Sequence, residues 1–107
     1  MSEPIITIFP EMTELMAFNY TNAMPLGDGV TIASAVLSAH EWVKGKQSTD
    51  ISTSFLVSTS GNVGTAKQVR FQFRNPPVNK TVRVKCKTTF SDGQVRVSRM
   101  FFEVIPA

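Results

Sequence analysis

Apolar residues recur at every second position over much of this chain, a spacing that predicts strands with one face in a core and one in water. The clearest case is Val69, Phe71 and Phe73, which alternate with Gln68, Arg70, Gln72 and Arg74. Over Thr81–Phe90 the same alternation sets Val82, Val84, Cys86 and Phe90 against Arg83, Lys85, Lys87 and Thr89. Ser91-Asp92-Gly93-Gln94 follows, and its Asp-Gly pair is a strong hairpin signal. It predicts antiparallel pairing of Thr81–Phe90 with Val95–Ile105. That last strand breaks step, because Val95 and Val97 share one parity while Met100, Phe102 and Val104 share the other. Either a bulge near Arg99 switches the register, or both faces are partly covered and Phe101 lies against something outside the domain.

Upstream, Ile5-Ile6-Thr7-Ile8-Phe9 is short, β-branched and stopped by Pro10, as an edge strand or extended arm would be. Leu15–Tyr20 reads as a strand, although Met12, Leu15, Met16 and Asn19 also have helical spacing. Pro25-Leu26-Gly27-Asp28-Gly29 demands a tight turn. Thr31–Leu37 reads as a strand, and a further one around Trp42 over Glu41–Val43 ends at Lys44-Gly45-Lys46. After the polar stretch Gln47–Asp50, the alternation of Ile51, Thr53, Phe55 and Val57 predicts another strand. Ser58–Lys67 is then a loop, and Asn75-Pro76-Pro77-Val78-Asn79 a turn. The sum is about seven short strands and no helix of ordinary length. The expected fold is all-β, an immunoglobulin-like antiparallel β-sandwich. Residues 1–107 form a single domain in this reading, with 1–10 as an N-terminal arm or edge strand.

Length and composition agree with one folded core: the chain has 107 residues, 42% hydrophobic and 18% charged. No leader or membrane-spanning stretch is expected. Charge changes the picture because it is divided along the chain. Residues 1–66 carry two lysines against six acids, whereas residues 67–107 carry nine basic side chains against Asp92 and Glu103. Such polarity suits either a nucleic-acid surface or protein surfaces that meet through complementary potentials.

Candidate chemistry is sparse. His40 is the sole histidine and Cys86 the sole cysteine, so neither a His/Cys metal cluster nor an internal disulfide can be assembled. Cys86 reads as a small core residue. Asp28 and Asp92 each precede glycine and read as turn formers rather than calcium ligands. No catalytic, metal or cofactor site is expected, and the chain is read as a non-enzyme. Arg70, Arg74, Arg83, Lys85, Lys87, Arg96 and Arg99 could form one basic sheet face. The phenylalanines alternate with them and belong to the core, so the aromatic interleaving of single-strand binders is missing and nucleic acid is the less favoured partner.

The run Pro25-Leu26-Gly27-Asp28-Gly29-Val30-Thr31-Ile32-Ala33-Ser34, followed by Val82–Gln94 and Ser98-Arg99-Met100-Phe101-Phe102-Glu103-Val104, resembles small immunoglobulin-like proteins of tailed bacteriophages described as fiber-tail adaptors. The resemblance spans roughly residues 15–105. Family members usually have a tyrosine in the penultimate strand and an acid before the aromatic of the last; Val82 or Val84 and Ser98-Arg99 stand there in this chain. The resemblance implies a structural virion protein, cytoplasmic in the host during assembly, that joins fibers or neighbouring rings at the neck or tail. Its expected partners are other virion proteins of neck, tail, fiber or capsid, in a symmetric multi-copy assembly without membrane or cofactor. A capsid decoration protein is the alternative within that class, and an accessory nucleic-acid-binding protein the alternative outside it. The interface residues expected are Ile5, Ile6, Ile8 and Phe9 for strand exchange, with Arg83, Lys85 and Lys87 for electrostatic docking.

Overall fold

A computed structural model describes residues 5–19, 31–65 and 68–106. Eight strands lie within them: β1 Ile5–Ile8, β2 Glu14–Asn19, β3 Ile32–Val43, β4 Lys46–Asp50, β5 Asn62–Thr65, β6 Gln68–Phe73, β7 Thr81–Phe90 and β8 Val95–Val104. One helical turn, α1 (Ser52–Phe55), joins β4 to β5. The strands make a five-stranded sheet in the order β1-β8-β7-β3-β4 and a three-stranded sheet in the order β2-β6-β5. This is an all-β sandwich, and its order of strands is that of an immunoglobulin-like domain with an extra strand beyond β3. The turn expected at Pro25–Gly29 and the end of the strand expected at Tyr20 lie outside the described residues.

The inward positions of both sheets close on one core. Val82, Val84, Cys86 and Phe90 of β7 face Val69, Phe71 and Phe73 of β6, with Leu37 and Ala39 of β3 and Met100, Phe102 and Val104 of β8 buried beside them. Phe102 sits at the centre of the aromatic packing, its ring 5.3 Å from that of Phe73 and 5.7 Å from that of Phe55. Thr88 is the buried polar residue of this core, and its Oγ1 lies 3.2 Å from Cys86 Sγ. The two share a hydrogen bond, which lowers the cost of burying a hydroxyl.

Four details depart from the sequence expectation. First, the sandwich is not wholly antiparallel: β1 pairs in parallel with β8, Ile5 opposite Phe101 and Ile8 opposite Val104. A parallel pair needs a long connection, and here almost the whole domain separates the two strands. Second, the segments expected as separate strands at Thr31–Leu37 and Glu41–Val43 are one strand of twelve residues, which pairs with β7 from Ile32 to Trp42.

Third, the polar run after Lys44-Gly45 is a strand and the alternating run after it is not. Lys44 and Gly45 adopt positive φ of 51° and 77°, the two-residue geometry that turns a strand straight back on itself. Backbone pairing with β3 then holds β4 at the sheet edge although all five of its residues are exposed. Ile51 to Phe55 instead make a helical turn, closed by Phe55 N–H donating to Ile51 O at 2.8 Å. That turn lets the neighbours Phe55 and Leu56 both enter the core, which a strand with one buried face forbids. Fourth, the expected loop Ser58–Lys67 contains β5 and, before it, a short annealing to β3: Leu37 N–H donates to Thr59 O and Gly61 N–H to Ala35 O.

Candidate protein-docking face

The continuous registers of the five-stranded sheet fix which side chains share its outer face. On β7 these are Thr81, Arg83, Lys85, Lys87 and Thr89; opposite them on β8 stand Glu103, Phe101, Arg99, Val97 and Val95. On the other flank β3 places Trp42, His40, Ser38 and Val36 beside Thr81, Arg83, Lys85 and Lys87. β1 adds Ile5 next to Phe101. Because β7 and β8 pair without a shift from Thr81–Glu103 to Thr89–Val95, no bulge exists near Arg99. The broken parity of β8 has a third cause: Met100, Phe102 and Val104 fill the core, while Val95 and Val97 point outward and stay exposed.

At one end of this face the side chains are aromatic. The rings of Trp42 and Phe101 meet edge to face at 5.4 Å, and with Ile5, Thr81 and Glu103 they line an open groove of about 300 Å³. Phe101 is therefore partly covered within the domain, by Trp42. The guanidinium of Arg83 lies over the Trp42 ring, 4.3 Å from its centroid, and donates from Nη2 to Gln47 Oε1 at 2.6 Å. Its Nε is buried without a hydrogen-bond partner. The cation–π contact and the single hydrogen bond to Gln47 make Arg83 a bracket between β7, β3 and β4. Of the three cations expected to dock a partner, Arg83 is thus committed inside the molecule, whereas Lys85 and Lys87 project from the middle of the sheet.

The middle rows are basic and then apolar. Lys85 stands directly across from Arg99, and Lys87 lies between Val97 and Val36, which are 44% and 60% exposed. Val95 and Ile5 are exposed on the same face. The single basic face expected from the sequence does not form. Arg70 lies on β6 in the other sheet and Arg74 just beyond its end; Arg70 Nε donates to Gln68 Oε1 and Arg74 Nη2 donates to Thr53 O. Arg96 has the inward parity of β8, across from Thr88.

The strand-exchange residues are divided too. Ile8 is 1% exposed and Ile6 is half-buried against the core, while Ile5 is 70% and Phe9 41% exposed. Pulling Ile5–Phe9 away would strip β1 from β8 and empty the seat of Ile8. The segment is the edge strand of the sandwich rather than a free arm.

One cluster on the far edge has the residue types of a nucleophile site. Ser52 Oγ donates to Asp50 Oδ1 at 2.6 Å, and Asp50 Oδ2 lies 3.8 Å from His40 Nε2. Nucleophilic catalysis needs the imidazole between hydroxyl and carboxylate, so that it can take the hydroxyl proton. Here the carboxylate stands between, and the serine also bonds β3 at Ala39, accepting from its N–H at 2.9 Å. The cluster fastens the β4–α1 corner to β3. It also holds the Asp50 carboxyl below the ordinary carboxylate range, chiefly through the Ser52 hydroxyl, then through the Ser52 N–H, with a smaller effect of His40. Asp92 Oδ1 accepts from Gln94 N–H at 3.0 Å, the turn-forming bond its Asp-Gly context predicts.

Sequence reasoning missed Trp42 as part of this face and gave Phe101 an outward position only as one of two alternatives. The signal was available in parity, since Phe101 shares its phase with Val95 and Val97, but only the register of β7 with both neighbours sets Trp42 beside Thr81. Comparison of the chain with protein-family models and with curated proteins gives no match.

Proposed function

We propose that this chain is a protein-docking module, a structural protein of a tailed-bacteriophage virion that acts as an adaptor at the neck or tail. The single observation that carries the docking reading is the outer face of the five-stranded sheet. It leaves Val36, Val95, Val97 and Ile5 exposed around Lys85, Lys87 and Arg99. Apolar groups clustered with one sign of charge on a sheet face favour association with another protein over solvation. The assignment to a virion rests on the resemblance of residues 15–105 to the fiber-tail adaptors, with which an immunoglobulin-like sandwich agrees. No chemical step is assigned to the chain.

Quantitative mass spectrometry of purified particles, with the major shell protein as internal standard, tests the assignment. About a dozen copies is the expected result for a symmetric ring at neck or tail. Hundreds of copies would replace the adaptor by shell decoration, and absence from particles would overturn the virion reading.

A further inference from the structure

We infer that the open edge of β1 pairs with β1 of a second copy of this chain, antiparallel about a two-fold axis at Ile6, so that two five-stranded sheets join into one. The inference concerns an edge rather than the outer face and does not rest on the virion reading.

An extended strand turns the peptide groups of alternate residues to opposite sides. Ile105 N–H donates to Ile8 O at 3.0 Å, so Ile8, and two residues before it Ile6, turn theirs toward β8. Ile5 and Thr7 turn theirs the other way, where among the described residues no strand lies beyond β1. Each presents one N–H and one C=O along that edge. Phe9 differs, because its O accepts from Met12 N–H at 3.1 Å and its N–H meets Met12 Sδ at 3.2 Å, which ends the edge in a turn.

Native sheets guard their open edges with charge or with bulges. Among the described residues the two sheets have four edge strands, and three of them carry such a guard. β4 bears Lys46 and Asp50 together with a register shift, β2 bears Glu14, and β5 has a register shift. β1 has neither: Ile5-Ile6-Thr7-Ile8 is uncharged and pairs with β8 residue for residue. Its Ile5 is 70% exposed. Pro4 and Pro10 bound the stretch in sequence and confine pairing to it.

The pattern of the edge selects its occupant. Set antiparallel about Ile6, Ile5 of one copy stands opposite Thr7 of the other. The outward N–H and C=O groups of Ile5 and Thr7 then satisfy one another in reciprocal hydrogen bonds, and the turn at Phe9 is left intact. On the outer side Ile5 meets the Thr7 methyl and, diagonally, Ile5 of the second copy. On the inner side the half-buried Ile6 meets its own counterpart. Facing residues share a side of the sheet, so the axis stands normal to it and the outer faces of both copies, with Lys85 and Lys87, point the same way.

The test is sedimentation equilibrium of the full chain. The contact is small beside the roughly 1,200 Å² of a stable interface, so a monomer–dimer equilibrium with Kd between about 10 µM and 1 mM is expected. Thr7→Pro removes an outward donor and no bond to β8, and should weaken association about tenfold or more while the circular dichroism of the folded chain is kept. Ile5→Glu alters only an exposed side chain. It should weaken association similarly by setting two carboxylates near the axis, and added salt should restore part of the loss. Amide exchange followed by NMR should show Ile5 and Thr7 gaining protection as concentration rises, with β4 unchanged. A chain still monomeric at about 1 mM, a dimer indifferent to Ile5→Glu, or protection that grows on β4 instead would overturn the inference. If Thr7→Pro unfolds the chain, Ile5→Glu decides. A monomeric chain found in particles overturns this inference alone, whereas a dimer absent from particles overturns only the virion reading.

Discussion

Trp42 is held on two sides, by the edge of Phe101 at 5.4 Å and by the guanidinium of Arg83 at 4.3 Å. Trp42→Ala removes both contacts and leaves Arg83, whose Nε is already buried without a partner, over a void. The substitution should cost about 2 to 4 kcal/mol in urea unfolding, near the lower range for truncating a large aromatic because the indole is only half-buried. Asp50 gives a pH signature. Its folded carboxyl titrates below the ordinary aspartate range, so the charged form contributes stability that is present above that range and lost as pH falls through the lower folded value. Asp50→Asn keeps an acceptor for Ser52 but removes the charge. The difference between wild type and Asp50→Asn, below about 1 kcal/mol at pH 7 for so exposed a group, should shrink in urea melts as pH falls below about 4. Trp42 depends on partners far away in sequence, which local pattern could not supply, whereas the chief partner of Asp50, Ser52, lies two residues on.

β1 behaves as two half-strands with different duties. Ile8 is part of the core, whereas Ile5 faces outward at the lip of the groove. Ile8→Ala should destabilise by about 2 to 5 kcal/mol by equilibrium unfolding, and Ile5→Ala by less than about 1. At the crossing from the five-stranded to the three-stranded sheet, Gly61 is held by a hydrogen bond to Ala35 O. A Cβ there would lie 2.5 Å from Val69 Cγ1 and 2.9 Å from Ala35 Cβ. Gly61→Ala should therefore lower the Tm by several degrees, corresponding to about 1 to 3 kcal/mol of overpacking, with calorimetry as the measurement. The strands at Gln68–Phe73 and Thr81–Phe90 were legible because one face of each is wet, so alternation survives in the residue types. Ile51–Val57 also alternates, but there the chain must climb between sheets. Burying adjacent Phe55 and Leu56 outweighed the period-two pattern. β4 had no apolar signal at all, since the turn at Lys44-Gly45 and pairing with β3 hold it in place.

On the whole-molecule scale the division of charge along the chain is not a division of the folded surface. Arg70 projects from one sheet, with Arg74 just past the end of its strand, while Lys85, Lys87 and Arg99 project from the other, so a cation exchanger meets two separate basic faces. Neutralising Lys85 and Lys87 to glutamine should reduce heparin retention only in part, and adding Arg70→Gln and Arg74→Gln should reduce it further and additively, because the two faces share no contact. The sequence by itself determined the all-β class, the inward faces of β6 and β7, and the Asp-Gly hairpin between β7 and β8. Those properties reside in local spacing and residue type, which precede folding. Only the tertiary structure decided that β1 runs parallel to β8, that Arg83 is spent on Trp42 and Gln47, and that Lys85 faces Arg99 between two apolar patches. Each of these depends on the register of strands distant in sequence, and register is fixed by the burial of the opposite face, a property of the assembled core rather than of any segment.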